Sequence, residues 1–385
     1  MKRAFERQEY QRRLDALQAR MGELGFDAML ITAPENTYYL SGYLTKAVFT
    51  FQFILVEKKG PPFLFTRQME IANAERAYRD GLIDSFAVYQ DDEDPLEASA
   101  SVIAKRLPAG SRVGIELASW TMPALRAQYL MNACSKFEWK DASTIVDRMR
   151  LVKSPAELAI IREASRLTDL IADKAIAAVK PGRTENDVTQ AVMAEMVANG
   201  SEYPGSWPNI MAGERTGLIH AAWEGEPIVE NDHVLSEVTG VVHRYHAPCL
   251  RTIKVGDLRD EIEHAAEVMI EAHAAAVAAI APGRPMSVIN DAAQLVMSRQ
   301  SLNCKFAKRS GYTFGIGFPP SWGAQWQIGL NSVVSDPLEV GMTFHVVLVG
   351  HFPDGRAIGL GETVVLLDSG AESWTKGGFV DARWS

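Results

Sequence analysis

The residues of this chain best suited to chemistry are a few acids and imidazoles set in strand-like or loop-like surroundings. The stretch VLSEVTGVVHRYHAPCLRT, residues 234–252, reads as a strand, a short connection and a return strand closed by Arg-Thr. It has the outline of a two-carboxylate metal site but carries a single acid, Glu237. His243 and His246 form an H-x-x-H on the same strand pair, with no further ligands in view to complete a metal set. Glu362 heads the last strong strand pattern, and His220 sits in a loop rich in Gly and Trp. A buried carboxylate can attack a carbon or activate a water, and an imidazole can carry a proton near neutrality.

The elements that must position these groups follow from pattern. Residues 6–24 place Leu14, Leu17, Met21 and Leu24 at helical spacing, with Gly25 as a stop. AMLIT (28–32), FQFILV (51–56), PFLF (62–65) and VGIEL (113–117) read as strands between helices and loops, which predicts an α/β domain over 1–150. SPAE at 154–157 marks the next boundary: Ser154 caps, Pro155 starts and Glu157 closes a capping box. A long amphipathic helix pattern follows, admitting one break.

An internal echo organises the rest, 151–385. AIAAVKPGR (175–183) returns as AVAAIAPGR (276–284), one hundred and one residues later. Each copy ends a helix and leads into a second one, so two similar halves are expected. That predicts an α+β domain with a pseudo-twofold repeat and a site where the sheets of the halves meet. The loops 206–228 and 308–326 hold Gly, Pro and Trp with few charges, a composition that suits pocket walls. Trp322, after Pro319 and Pro320, is the strongest candidate among Trp207, Trp223, Trp322 and Trp326 for covering a cationic or zwitterionic solute.

Bulk properties exclude several classes. A chain of 385 residues exceeds one ordinary core. A net charge of −9 opposes a nucleic-acid partner, whose phosphates it would repel. Three cysteines without paired spacing fit a reducing compartment and exclude a cysteine zinc site. No apolar signal region follows MKRAFERQEYQRR, and the alanine-rich segment near 274–281 is too short to span a bilayer. A cytoplasmic protein with no membrane partner is expected.

LVKSPAELAIIREA, the loop ending in His220, segment 234–252, GYTFGIGF, EVGMTFHVV and GETVVL together resemble the creatinase/aminopeptidase P/prolidase family over nearly the whole chain. The resemblance implies a creatinase-type N-terminal domain, a pita-bread C-terminal domain and a homodimer. Metal-dependent members hold two cations with two aspartates, a histidine and two glutamates. The matching positions here are Glu237, Pro248, Tyr312, Val347 and Glu362, so no catalytic metal and no other cofactor is expected.

The runs EVTGVVHRYHAPCLRT, RSGYTFGIGFPPSWG and GMTFHVV resemble most the metal-free branch, of the ectoine hydrolase type. Leu250, before Arg-Thr, lacks the carboxylate expected of a creatinase. The implied activity is hydrolysis of a C–N bond, amide or amidine, in a small nitrogen-rich substrate. Glu237 is then nucleophile or base, His220 the proton shuttle and Glu362 its orienting or substrate-pairing carboxylate. Tyr312, Trp322, Tyr245, His246 and His345 are the expected substrate-binding residues. The alternatives are an Xaa-Pro peptidase-like metallohydrolase, a creatinase-type amidinohydrolase and a non-catalytic binding protein.

Overall fold

The computed structural model describes residues 3–299 and 301–382, and the chain divides into two compact units between Arg150 and Leu151. In the first unit the strands are β1 (Ala28–Ile31), β2 (Phe53–Glu57), β3 (Phe63–Arg67), β4 (Ser85–Tyr89), β5 (Arg112–Ile115) and β6 (Glu138–Asp141). Its helices are α1 (Arg7–Leu24), α2 (Pro34–Ser41), α3 (Ile71–Arg79), α4 (Pro95–Arg106), α5 (Ala124–Ala133) and α6 (Ile145–Met149). The strands form one mixed sheet in the order β4-β3-β2-β1-β5-β6. Central strands β1 and β2 are buried apolar runs, as their sequences predict. The edges were harder to read: β6 is the polar EWKD, largely exposed, and has no apolar face to announce it.

The second unit contains helices α7 (Pro155–Ala178), α8 (Glu185–Ala198), α9 (Asp260–Ala279) and α10 (Ser287–Ser298). Its strands are β7 (Asn209–Ala212), β8 (Asp232–Val242), β9 (Tyr245–Val255), β10 (Lys305–Phe306), β11 (Gly311–Thr313), β12 (Thr343–His351), β13 (Ala357–Leu367), β14 (Gly370–Ser373) and β15 (Gly378–Asp381). One sheet runs β10-β12-β13-β9-β8-β7, with β11 on β12, β14 on β13 and β15 on β9.

The internal echo has a structural counterpart. The helix pair α7/α8 covers hairpin β8/β9, and α9/α10 covers β12/β13, each over its own apolar core. The two echoed helices end alike, at Val179 (φ −73°, ψ 108°) and Ile280 (φ −74°, ψ 110°). Gly182 and Gly283 then take left-handed φ of 81° and 78°, the conformation that glycine accepts without strain. The capping box at Ser154 and Glu157 is formed, and α7 runs unbroken for 24 residues. Gly240 lets α7 approach β8 closely, since a Cβ there would lie 2.5 Å from the Ala164 carbonyl oxygen. Thr168 of α7 donates to the Ala247 carbonyl and accepts from the Gly240 N–H, both at 2.7 Å.

The halves meet along β9 and β13, where only Gly361 and Leu250 pair as strand partners. Hydroxyls complete this seam. Thr252 Oγ1 donates to the Gly359 carbonyl (2.8 Å) and accepts from the Gly359 N–H (2.9 Å). Thr363 Oγ1 donates to the Pro248 carbonyl at 3.0 Å. A sparse ladder there explains how Pro248, with no N–H to give, sits inside a central strand. Among the described residues no helix is long and apolar enough to cross a membrane.

Candidate active site

The pairing registers of the second unit lay five residues in one row across the sheet: Asn209, Glu237, Leu250, Gly361 and Val347. Side chains on neighbouring strands at paired positions share a face. Asn209, Glu237, Leu250 and Val347 accordingly line one cavity of about 640 Å³. Loops 206–228 and 308–326 build its walls through His220, Arg309, Tyr312 and Trp322.

Glu237 is buried and is the only carboxylate in that lining. Its Oε2 accepts a hydrogen bond from Asn209 Nδ2 at 2.9 Å, and its Oε1 lies 3.2 Å from His345 Nε2. His345 stands on β12 directly beside Tyr312 of β11, with the rings edge-to-face and centroids 5.5 Å apart. The Tyr312 hydroxyl accepts from Trp322 Nε1 at 2.8 Å, which leaves its own proton for the pocket. Burial, and then the Glu237 carboxylate, push the Tyr312 phenol far above its ordinary value, so it stays a donor.

His220 is exposed at the cavity rim, in the chain that follows a 3-10 turn at Gly213–Gly217. That loop is held by Glu185, a fully buried carboxylate. It accepts from the Ala212 N–H (2.9 Å), Arg215 Nε (3.0 Å) and the Glu224 N–H (2.7 Å). Asn209, Arg309 and Glu185 escaped the sequence reading. Only pairing register or loop closure brings them to the site, and neither is local in sequence.

His345, expected to bind substrate, is fully buried against Glu237 and is not part of the cavity lining, and three further expected site residues belong elsewhere. Tyr245 is buried and donates to Glu157 Oε1 at 2.7 Å, so its hydroxyl ties the β8/β9 hairpin to the cap of α7 and is not part of the cavity lining. His246 is buried against backbone: its Nδ1 donates to the Arg244 carbonyl (3.0 Å) and its Nε2 accepts from the Gly205 N–H (2.8 Å). Burial, reinforced by the Arg244 charge, holds this imidazole well below its usual range and neutral. Arg244 occupies the two-residue turn with His243, both at positive φ, and its guanidinium binds the Gly317 carbonyl. The HRYH run thus anchors the wall that carries Trp322.

Glu362 is the third correction. It pairs with Val346, whose side chain belongs to the core under α9, so Glu362 faces the helices and away from the cavity. Its Oε1 accepts from the Gly377 N–H at 3.1 Å, and its Oε2 lies 4.0 Å from His273 Nδ1. It can neither orient His220 nor pair with Glu237. The residue of β13 facing the cavity at that level is Gly361, which pairs with Val347. Of the four tryptophans considered, Trp322 alone lines the cavity; Trp207 is exposed and Trp326 packs on the α9/α10 core.

A pair of cations does not fit this donor set. At the positions implied for ligands stand Glu237, Pro248, Tyr312, Val347 and Glu362, and the last of these points to the other face of the sheet, leaving Gly361 toward the site. Among the described residues no group of three or more His, Cys, Asp or Glu is arranged to hold a metal ion. The arrangement offers a pinned carboxylate, a phenol donor and an imidazole at the rim, under an indole cover.

Comparison with known proteins agrees with this frame. The model of metallopeptidase family M24 matches residues 159–368, and the creatinase/prolidase N-terminal domain matches 13–152. Ectoine hydrolase of Halomonas elongata is 26% identical over 386 aligned positions, covering 96% of each chain. Among solved structures, a recombinant prolidase from Thermococcus sibiricus superposes with a TM-score of 0.83 at 19% identity, covering 97% of this chain and 98% of its own. A dipeptidase from Pyrococcus horikoshii OT3 gives 0.82 at 20% identity, covering 96% and 99%.

Proposed function

Since the chain belongs to metallopeptidase family M24 and carries a creatinase/prolidase N-terminal domain, we propose that it is a metal-independent hydrolase of a C–N bond in a small, nitrogen-rich, non-peptide compound. One observation carries the reading. Among the described residues Glu237 is the only carboxylate lining this cavity, held by Asn209 and His345, while Pro248, Tyr312 and Val347 occupy ligand positions implied by the resemblance and Glu362 faces away from the cavity. The similarity to ectoine hydrolase supports an amide or amidine as the bond opened.

In this reading Glu237 attacks the substrate carbon or takes a proton from the water that does. Two hydrogen bonds fix its orientation, so little reorganisation is needed as the bond forms. Tyr312 donates to the oxygen or nitrogen that gains negative charge. His220 moves a proton at the cavity rim, and Trp322 excludes water from above Tyr312. The protein acts as a cytoplasmic homodimer on a small molecule, without nucleic-acid or membrane partners; light scattering on a sizing column tests the dimer.

A second reading, an Xaa-Pro peptidase, is favoured by the prolidase and dipeptidase folds that superpose on the chain. One experiment separates the two. The chelator-treated protein is screened by thermal shift against cyclic amidines, lactams, guanidino acids, acylated diamines and Xaa-Pro dipeptides, and the ligands that bind are assayed for turnover. Turnover of a non-peptide solute after chelation supports the first reading. Turnover of Xaa-Pro dipeptides only after manganese is added would replace it with the second.

A further inference from the structure

His345 raises a question of proton count. Its Nδ1 lies 3.2 Å from the carbonyl oxygen of Glu362, and its Nε2 lies 3.2 Å from Oε1 of Glu237. A carbonyl only accepts, so Nδ1 must carry a proton. In a neutral imidazole Nε2 would then present a lone pair to an ionised carboxylate. Two lone pairs facing each other in a buried site, with His345 side-chain exposure at 0%, is an unfavourable arrangement.

We propose that Glu237 and His345 hold one shared proton between Oε1 and Nε2, beyond what a neutral imidazole and a carboxylate carry, and that His345 is the positioning residue of Glu237. The Glu362 backbone sets the ring's orientation from behind, and Asn209 satisfies the other carboxylate oxygen. An imidazolium in that place supplies beside Glu237 a positive charge of the kind that the two cations supply in the metal-dependent members. Gly361 makes room for it: a Cβ at that position would sit 2.7 Å from His345 Cε1 and 2.9 Å from Val347 Cγ2. The glycine is required by space, since its backbone is not left-handed.

The charged and titratable surroundings are few. Tyr312 faces the pair from β11 as a protonated phenol. Arg309 lies beyond it, its guanidinium 5.5 Å from the Tyr312 ring centroid. From the helix side His273 of α9, kept low by burial, donates its Nε2 proton to the Val346 carbonyl, and the Glu362 carboxylate stays on that far face. His220 and His351 line the same cavity. None of the cavity-lining groups is a second carboxylate that could take the proton from the pair.

The catalytic consequence rests on the reading of Glu237 as the acting carboxylate; the proton count does not. Nitrogen-15 NMR of the full-length protein labelled at histidine, at about pH 7, reads it directly, with His345→Gln identifying the signals by their loss. The expected result is a proton on both His345 nitrogens, or a protonated Glu237 carboxyl read by carbon-13. In Glu237→Gln the side-chain amide donates to Nε2 instead, and the His345 signals shift to a singly protonated ring. A bare Nε2 beside an ionised Glu237, or no change in Glu237→Gln, overturns the proposal. With a substrate in hand, the pH profile of kcat/KM loses its alkaline limb in His345→Gln. An identical limb overturns the positioning role of His345 and leaves the assignment of Glu237 intact.

Discussion

Trp322 gives its indole N–H to the hydroxyl of Tyr312, on a residue that is itself wedged edge-on against His345. The bond occupies an acceptor lone pair of the phenol and turns its proton toward the cavity. Phe at position 312 removes that donor and leaves the indole unpaired. Tyr312→Phe is expected to lower kcat on the order of 10²-fold with a smaller change in KM, as for loss of one transition-state donor. Steady-state kinetics on a non-peptide substrate checks it.

Glu237→Gln keeps a side chain of the same shape and a carbonyl to accept from Asn209. Folding is therefore expected to survive, while kcat falls by at least about 10²–10³-fold. Circular dichroism melts and turnover measured on the same sample decide it. A folded protein with undiminished turnover removes Glu237 from the mechanism.

Glu362→Gln separates the two faces of the sheet. The glutamine still accepts from the Gly377 N–H, and the cavity is untouched. Its turnover is expected to stay within about threefold of the parent, the range of substitutions away from a working site. A loss as large as that of Glu237→Gln would show that Glu362 reaches the substrate after all.

Tyr245→Phe tests the anchoring role of the HRYH run. It deletes the hydrogen bond to Glu157 at the start of α7, at a cost of about 1–3 kcal/mol in stability. KM is expected to remain within about twofold, because the hydroxyl does not line the cavity. Denaturant melts beside kinetics distinguish this from a substrate contact.

The second unit is expected to lose stability on acidification. His233, His246 and His273 are all held below their ordinary values, each chiefly by burial. The unfolded chain therefore binds protons that the folded one refuses. Stability is fully present above the unfolded histidine value of about 6.5 and falls as pH drops below it, by up to about 1.4 kcal/mol per pH unit for each histidine. In the first unit Glu116, raised by burial to about 7, works in the opposite sense: its contribution is lost as pH rises through that value. Thermal melts between about pH 5 and 8, resolving the two units, read both trends.

Much was legible along the chain because the signals are local. The cap at Ser154, the echoed Pro-Gly helix ends and the apolar central strands each depend on residues a few positions apart. The absence of acids at Pro248, Tyr312 and Val347 is likewise a fact of sequence alone. What the sequence could not settle is facing. Side chains alternate along a strand, so moving an assignment by one residue sends it through the sheet. That single step put Glu362 on the helix side and Gly361 at the cavity. Tertiary pairing then brought Asn209 and His345 to the two oxygens of Glu237 across three different strands. It also drew Tyr245 and His246 into the frame, where backbone and a helix cap consume their hydrogen bonds. Local order needs only neighbours in the chain, whereas the surroundings of a buried carboxylate are set by whichever strands the folded sheet lays beside it.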